Sequence, residues 1–213
     1  RRINRIFEDE TGRSDMYEQQ KSSANRWMLK LTAQMFPDGK PTSFKESVRL
    51  AVAGNIIDLG ANPDLSSKQV LQAIDKVVDA DFFIDHTAEL KLSVDRAKKI
   101  LYVGDNAGEI VFDRMLVSML PPGQVTFCVR GRPVLNDATR TDADTVVMGE
   151  IARIIDTGTD YPGVVFSESS DEFKQTWDEA DLVISKGQGN FESLIDCKDK
   201  PVFFLFMAKC SKV

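Results

Sequence analysis

The 213-residue sequence is poor in cysteine and histidine and lacks long hydrophobic segments. Its three cysteines, Cys128, Cys197 and Cys210, have no C-x-x-C spacing, which argues against a disulfide framework and a structural zinc site. The single histidine, His86, leaves almost no material for a multi-histidine metal site or a histidine-based triad. No run of about 18 apolar residues occurs, so we expect no membrane-spanning helix. This composition fits a reducing compartment, and we expect a cytoplasmic protein.

Basic residues are also in the minority, with 27 Lys and Arg against 33 Asp and Glu and a net charge of −6. Binding to nucleic acid requires a dominant basic face to neutralise phosphates, so we expect neither nucleic acid nor a membrane as the main partner. The hydrophobic fraction of 42% and the chain length suffice for a substantial core. Composition leaves the oligomeric state open.

The first part of the chain has the pattern of amphipathic helices. Apolar residues recur there at three- and four-residue spacing: Ala24, Trp27, Met28, Leu31 and Met35. Pro37 and Gly39 predict the end of this helix. Further helices are predicted from a cap at Thr42 or Ser43 to near Gly60, from a capping box at Ser66 and Gln69, and over residues 88–97.

From Lys99 onward, short apolar runs alternate with amphipathic segments. The predicted strands are 100–103, 125–129, 164–166, 182–185 and 202–206, and the predicted helices between them are 108–120, 142–155 and 169–180. This alternation indicates an α/β fold, with a mostly parallel sheet and helices on both faces. We therefore predict an all-helical N-terminal subdomain over residues 1–95 and an α/β metal-binding core over residues 96–213.

Polar side chains lie after two of the predicted strands, directly after the first and in the segment that follows the second. Asp105 and Asn106 follow the first strand, and Asp137 ends the segment "VRGRPVLND" after the second. Ligands of open parallel sheets bind outside the carboxyl ends of the strands, where these oxygens can converge on Mg²⁺ or Mn²⁺. Taken alone, "GDNAGE" is equally typical of a helix cap or a turn, and "LND" is more often a loop than a ligand.

The segment "SKGQGNFE" follows a later strand and precedes a predicted helix. Backbone N–H groups of Gly187 and Gly189 at a helix start favour an anion, Lys186 adds a positive charge, and Asn190 follows. These features predict a phosphate-binding loop, although an ordinary turn has the same composition.

Other candidates carry weaker signals. Asn55 and Asp58 are polar residues within an apolar helical stretch, which fits a buried polar network as well as a site. Lys209 and Cys210 lie just beyond the last predicted strand, from where they can reach the same crevice. His86 is expected near a helix start, without a partner that would indicate catalysis.

Four segments in this order, "AGNIID", "VGDNAGEIVFD", "RPVLND" and "SKGQGNFE", resemble the signature segments of the DUF89 family of metal-dependent damage-control phosphatases. The resemblance extends from about Asp15 to the C-terminus. It is closest to the stand-alone microbial branch and is similar to the phosphatase domain fused to pantothenate kinase. Members of this branch usually have a further segment before the position of Arg1 and continue past Val213, so we expect additional sequence at both ends.

The resemblance implies a phosphatase with one divalent metal ion (Mg, Mn, Co or Ni) that acts on small phosphorylated metabolites. These would be damaged or surplus sugar phosphates or phosphopantetheine-like compounds. By motif, Asp105, Asn106 and Asp137 would hold the metal, and Asp105 and Glu109 would be catalytic. The implied substrate or phosphate contacts are Lys186, Gly187, Gly189, Asn190, Asn55 and Lys209.

Two questions about the chemistry remain open at this point. For the nucleophile, we favour a metal-activated water with Glu109 as general base over attack by Asp105, since the second acid of aspartyl-phosphate enzymes is replaced by Ala107. The alternative functions are an adenosylmethionine-dependent carboxyl methyltransferase and a non-catalytic metabolite-binding domain. The first would need a glycine-rich cofactor loop where "GDNAGE" stands, and the second would need no metal.

Overall fold

The computed structural model describes residues 2–54, 72, 74, 76 and 80–208. Helices α1 (Arg2–Thr11), α2 (Glu18–Met35), α3 (Phe44–Gly54) and α4 (Thr87–Arg96) precede the sheet. The second part contains β1 (Ile100–Val103), α5 (Ile110–Val117), β2 (Val125–Val129), α6 (Arg140–Thr145), β3 (Arg153–Asp156), α7 (Asp171–Glu179), β4 (Leu182–Lys186), α8 (Gln188–Leu194) and β5 (Val202–Leu205). Short 3₁₀ turns cover Met148–Glu150 and Phe166–Glu168. None of the described helices is long and apolar enough to cross a membrane.

All five strands are parallel, in the order β3-β2-β1-β4-β5. Alternate residues of β1 face opposite sides of the sheet, so that Tyr102 packs with the helices that precede the sheet. Leu101 and Val103 instead pack with Phe173 and Trp177 of α7. The predicted α/β class with helices on both faces is therefore confirmed.

The chain builds β2 and β3 on one side of β1 and then crosses to place β4 and β5 on the other. The carboxyl ends of β1 and β4 thus flank a topological switch point, where open α/β sheets bind ligands. One hydrophobic core joins α2, α3 and α4 to this sheet through residues such as Met28, Leu50 and Leu90. The division near residue 95 stays a prediction.

Two predicted elements are wrong. The third strand lies at 153–156, inside the segment predicted as a helix over 142–155. Helix α6 ends early, and Val147 (φ 49°) takes a left-handed backbone conformation that α-helices do not contain. Residues 164–166 do not form a strand; Val164 is buried in a loop and the Phe166 ring packs edge-on against Trp177, with centroids 4.8 Å apart.

The helix predictions before the sheet agree with the described residues. Helix α2 buries Ala24, Met28 and Leu31 and ends before Pro37. The Ser43 Oγ accepts a hydrogen bond from the Glu46 backbone N–H at 3.1 Å, which is the predicted cap of α3. The predicted end of this helix near Gly60 and the capping box at Ser66 lie outside the described residues.

Candidate metal centre

The loops that follow β1 and β2 are joined directly to each other. Asn106 and Asp137 form an isolated antiparallel bridge. The Ala138 N–H donates to the Asp105 carbonyl at 2.7 Å, and the Ala107 N–H donates to the Asn136 carbonyl at 2.9 Å. The predicted ligands Asp105, Asn106 and Asp137 therefore lie on one cross-linked pair of loops at the switch point. The Asp105 side chain is 12% exposed, so the site opens to solvent there.

Arg130 is a buried hydrogen-bond donor to Asp137. The Nε of this buried arginine donates to Asp137 Oδ2 at 2.6 Å, and Nη2 lies 3.8 Å from Asp105 Oδ1. Nη2 also donates to Asn190 Oδ1 at 3.0 Å. Arg130 was not among the site residues predicted from the sequence. It follows β2 immediately, and residues after the carboxyl end of a strand were expected at the site, so the signal that predicted Asp105 applies to Arg130 as well.

Lys186, at the end of β4, is fully buried between two carboxylates. Its Nζ donates to Glu109 Oε1 and, at 2.7 Å, to Asp113 Oδ1, which also accepts from the Tyr102 hydroxyl at 2.7 Å. The carboxylates of Asp113 and Glu109 raise the pKa of Lys186 although burial lowers it. Lys186 therefore stays protonated and pairs with Glu109. Its predicted direct contact with phosphate stays a prediction.

The glycine loop closes the site on the side of β4. Gly187 has φ 78°, and a Cβ at this position would lie 2.0 Å from Asp105 Oδ2. Only glycine therefore lets the backbone approach Asp105 so closely. Gly189 instead packs against the Pro162 carbonyl. The Asn190 Nδ2 donates to the carbonyls of Gly104 (3.1 Å) and Lys186 (2.7 Å), so this buried amide links β1 to β4.

Two predicted substrate contacts, Asn55 and Lys209, lie outside the described residues, as do Asp58 and Cys210. His86 is in the position just before α4, as predicted, and its side chain makes no capping hydrogen bond. Cys128 and Cys197 are free thiols. Cys128 is buried in β2, and burial raises the pKa of its thiol.

The residues present fit a divalent cation by their charge. Within the described residues, the site has four carboxylates and two cations: Asp105, Glu109, Asp113, Asp137, Arg130 and Lys186. Full ionisation leaves a formal excess of two negative charges, which one divalent ion would neutralise. The described part of the chain has no cluster of three or more His, Cys, Asp or Glu side chains that would hold a metal alone. The third predicted ligand is an amide, and such small oxygen sets suit ions that keep several waters.

The Asn106 amide lies between two of these carboxylates. Its Nδ2 donates to Asp105 Oδ2 at 2.9 Å and to Glu109 Oε2 at 3.3 Å. A half-turn of the amide would present Oδ1 to the same space, where a cation would replace the two hydrogen bonds.

Comparisons with known proteins now decide the family. The family model of the damage-control phosphatase ARMT1-like domain matches residues 1–213. The chain belongs to this family. It is therefore a phosphatase enzyme, as the four signature segments predicted.

Relatives of this damage-control phosphatase family member include three archaeal proteins. It is 35% identical to an uncharacterized protein of Methanocaldococcus jannaschii (99% of this chain, 72% of that protein) and 33% identical to a damage-control phosphatase of Archaeoglobus fulgidus (100% and 75%). It is 36% identical to a damage-control phosphatase of Pyrococcus horikoshii, over 80% of this chain and 60% of that protein. A crystal structure of a DUF89 family protein from P. horikoshii superposes with a TM-score of 0.87 at 32% identity, covering 98% of this chain and 74% of that one.

The crowded carboxylates of this phosphatase predict that the metal-free protein loses stability as the pH rises. Burial, with Glu109 and Asp137 nearby, raises the pKa of Asp105 to about 8, and burial raises the pKa of Asp113 to about 6. Because the folded state holds these protons more tightly than the unfolded chain, their stabilising contribution is complete below about pH 4 and is lost as the pH rises through about 8.

We expect the free energy of unfolding, measured with urea after chelation, to be at least about 1 kcal/mol lower at pH 8.5 than at pH 5.5. The Asp105→Asn variant should show a smaller decrease. Asp156→Asn removes the same charge at the end of β3, where the side chain pairs with Arg140, and serves as the control. Equal decreases in both variants would contradict the assignment of this effect to Asp105.

Proposed function

We propose that this phosphatase hydrolyses phosphate monoesters of small metabolites and that one divalent metal ion is held by Asp105, Asn106 and Asp137. The observation that carries the proposal is the direct linkage of the two ligand loops at the switch point, in a site with more carboxylates than cations. A bound divalent ion would supply positive charge for the phosphoryl oxygens and lower the pKa of water.

The residues of the chain have separable roles in this proposal. Glu109 is 4% exposed and lies beside Asn106, where its carboxylate can take a proton from an attacking water. Arg130 orients Asp137 through the 2.6 Å hydrogen bond. Asp105 serves as a metal ligand, and we favour water over Asp105 as nucleophile. Trapping a phosphoenzyme on Asp105 with a fluoride analogue would overturn that preference.

For the substrate, we propose damaged or surplus sugar phosphates or phosphopantetheine-like compounds. The relatives named damage-control phosphatases support a small phosphorylated metabolite. We keep Lys186, Gly187, Gly189, Asn190, Asn55 and Lys209 as proposed substrate contacts; for Lys186, whose Nζ donates to Glu109 and Asp113, the alternative is an indirect role through Glu109. The free thiols of Cys128 and Cys197 support the proposal of a cytoplasmic, reducing environment. Membership of a phosphatase family favours this function over a methyltransferase and over a non-catalytic binding domain.

Hydrolysis of para-nitrophenyl phosphate by chelated protein tests the metal dependence. We expect no turnover without metal and restored turnover when Mg²⁺, Mn²⁺, Co²⁺ or Ni²⁺ is added singly, because among its described residues the carboxylates of the site outnumber the two cations, and phosphoryl transfer requires added positive charge. Turnover that persists fully in the chelated protein would refute the metal-dependent mechanism.

A further inference from the structure

A buried polar contact connects helix α2 to the first ligand loop. Asn25 is 0% exposed, and its Oδ1 accepts a hydrogen bond from the Gly108 N–H at 2.6 Å. On its other side, the Asn25 Nδ2 donates to Asp142 Oδ1 at 2.8 Å. The two ends of one amide therefore join the loop after β1 to helix α6.

Asp142 in turn holds the loop that follows Asp137. Its Oδ2 accepts from the backbone N–H and the hydroxyl of Thr139, both at 2.8 Å, in a capping box at the start of α6. Lys21, one turn before Asn25 on α2, lies 3.1 Å from the same Oδ2 and 2.8 Å from Asp15 Oδ2. A single face of α2 thus contacts both ligand loops through buried side chains.

We propose that Lys21, Asn25 and Asp142, here called the α2 clamp, position the two loops for metal binding. This inference rests on the proposed metal site. None of the three joins Asp105, Asn106 or Asp137 in the hydrogen bonds and ion pairs given above, and we therefore treat them as positioning residues. The contacts of the clamp lie at Gly108, Thr139 and Asp142, which are two to five positions from the ligands along the chain. Because the two ligand loops are bridged to each other, a shift of one loop moves the other loop as well.

The chemistry of Asn25 explains why an amide is required there. It donates to a carboxylate and accepts from a backbone N–H at the same time, which neither an aspartate nor an aliphatic side chain can do. In Asn25→Asp, the new carboxylate would keep the acceptor for Gly108 but would face the Asp142 carboxylate. The variant therefore breaks the hydrogen bond between Asn25 and Asp142 with little change in volume, while Lys21 still pairs with Asp142.

The test is the affinity for Mn²⁺, measured by electron paramagnetic resonance on the full chain after chelation. We expect Asn25→Asp and Lys21→Met to weaken Mn²⁺ binding by about 10- to 100-fold, as removal of groups that orient metal ligands typically does. Excess Mn²⁺ should restore much of kcat while KM for para-nitrophenyl phosphate stays close to the wild-type value. Thr32→Val is the matched control, because Thr32 is similarly buried on α2 but, among the residues that the structure describes, its hydroxyl bonds only to the Met28 and Leu29 carbonyls of the helix.

Each outcome is decisive. Unchanged affinity in both clamp variants would overturn the proposal, as would an equal loss in Thr32→Val, which would assign the effect to general packing of α2. If Asn25→Asp does not fold, Lys21→Met alone carries the comparison. A wild-type protein that binds no Mn²⁺ and shows no turnover with Mg²⁺, Co²⁺ or Ni²⁺ would refute the proposed metal site, and the clamp with it.

Discussion

Replacing Asp105 with asparagine is expected to lower metal-dependent turnover of para-nitrophenyl phosphate by about three orders of magnitude. A ligand-bound metal contributes several kcal/mol of charge stabilisation in the transition state, and each 1.36 kcal/mol corresponds to a tenfold rate change. Asparagine keeps the shape of the side chain but removes the charge that attracts the cation. The rate is measured at saturating substrate with each of the four metals.

Asp156→Asn is the matched control for this prediction. Asp156 also ends a strand at the carboxyl edge of the sheet, but its carboxylate pairs with Arg140 at 2.7 Å outside the site. We expect this variant to retain turnover close to the wild-type rate. Wild-type turnover in Asp105→Asn would remove Asp105 from the site, and an equal loss in both variants would show that the edge of the sheet responds to any lost charge.

The loss of activity should not be accompanied by a loss of stability. Burial and the carboxylates of Glu109 and Asp137 raise the pKa of Asp105 to about 8, so the ionised form is unfavourable in the metal-free fold. At pH 8.5, the metal-free Asp105→Asn protein should therefore be at least as stable to urea as the wild type. A variant that is inactive and also unfolded would contradict this separation of function from folding.

The sequence was sufficient to predict those strands whose own residues form an apolar run. Strands β1, β2 and β4 are mostly buried apolar runs between polar segments, and β5 is an apolar run of which only Leu205 is fully buried. Strand β3 was missed because only two of its four residues, Ile154 and Ile155, are apolar, whereas the equally short edge strand β5 is apolar throughout. The apolar run from Val164 to Phe166 was wrongly predicted as a strand, because its side chains pack on α7 without strand pairing.

The site was predictable where residues lie in the loops that follow adjacent strands. Asp105, Asn106 and Asp137 are together because adjacent parallel strands end at the same edge. The contacts of Lys186 and Asn25 were not predictable, because they join positions 77 and 83 residues apart in the chain. For Asn25 a signal existed, since a polar residue one turn after Lys21 shares the buried face of α2.

Replacing Lys186 with methionine is expected to destabilise the protein by about 3–5 kcal/mol, because it leaves the buried carboxylates of Glu109 and Asp113 without their cation. The free energy of unfolding in urea measures this effect. Lys99→Met is the control, since the Lys99–Glu179 pair is largely exposed and such pairs contribute at most about 1 kcal/mol. Equal effects of the two substitutions would contradict the buried ion pair.

A second substitution identifies the cause. Asp113→Asn should cost stability in the wild type but restore part of it in the Lys186→Met protein, because there it removes an unpaired charge.

Kinetics of the folded Lys186→Met protein then separate two roles. Direct contact with phosphate predicts a raised KM, whereas a cation held behind Glu109 predicts a lowered kcat with KM near the wild-type value. The hydrogen bonds of Nζ to Glu109 and Asp113 favour the second result.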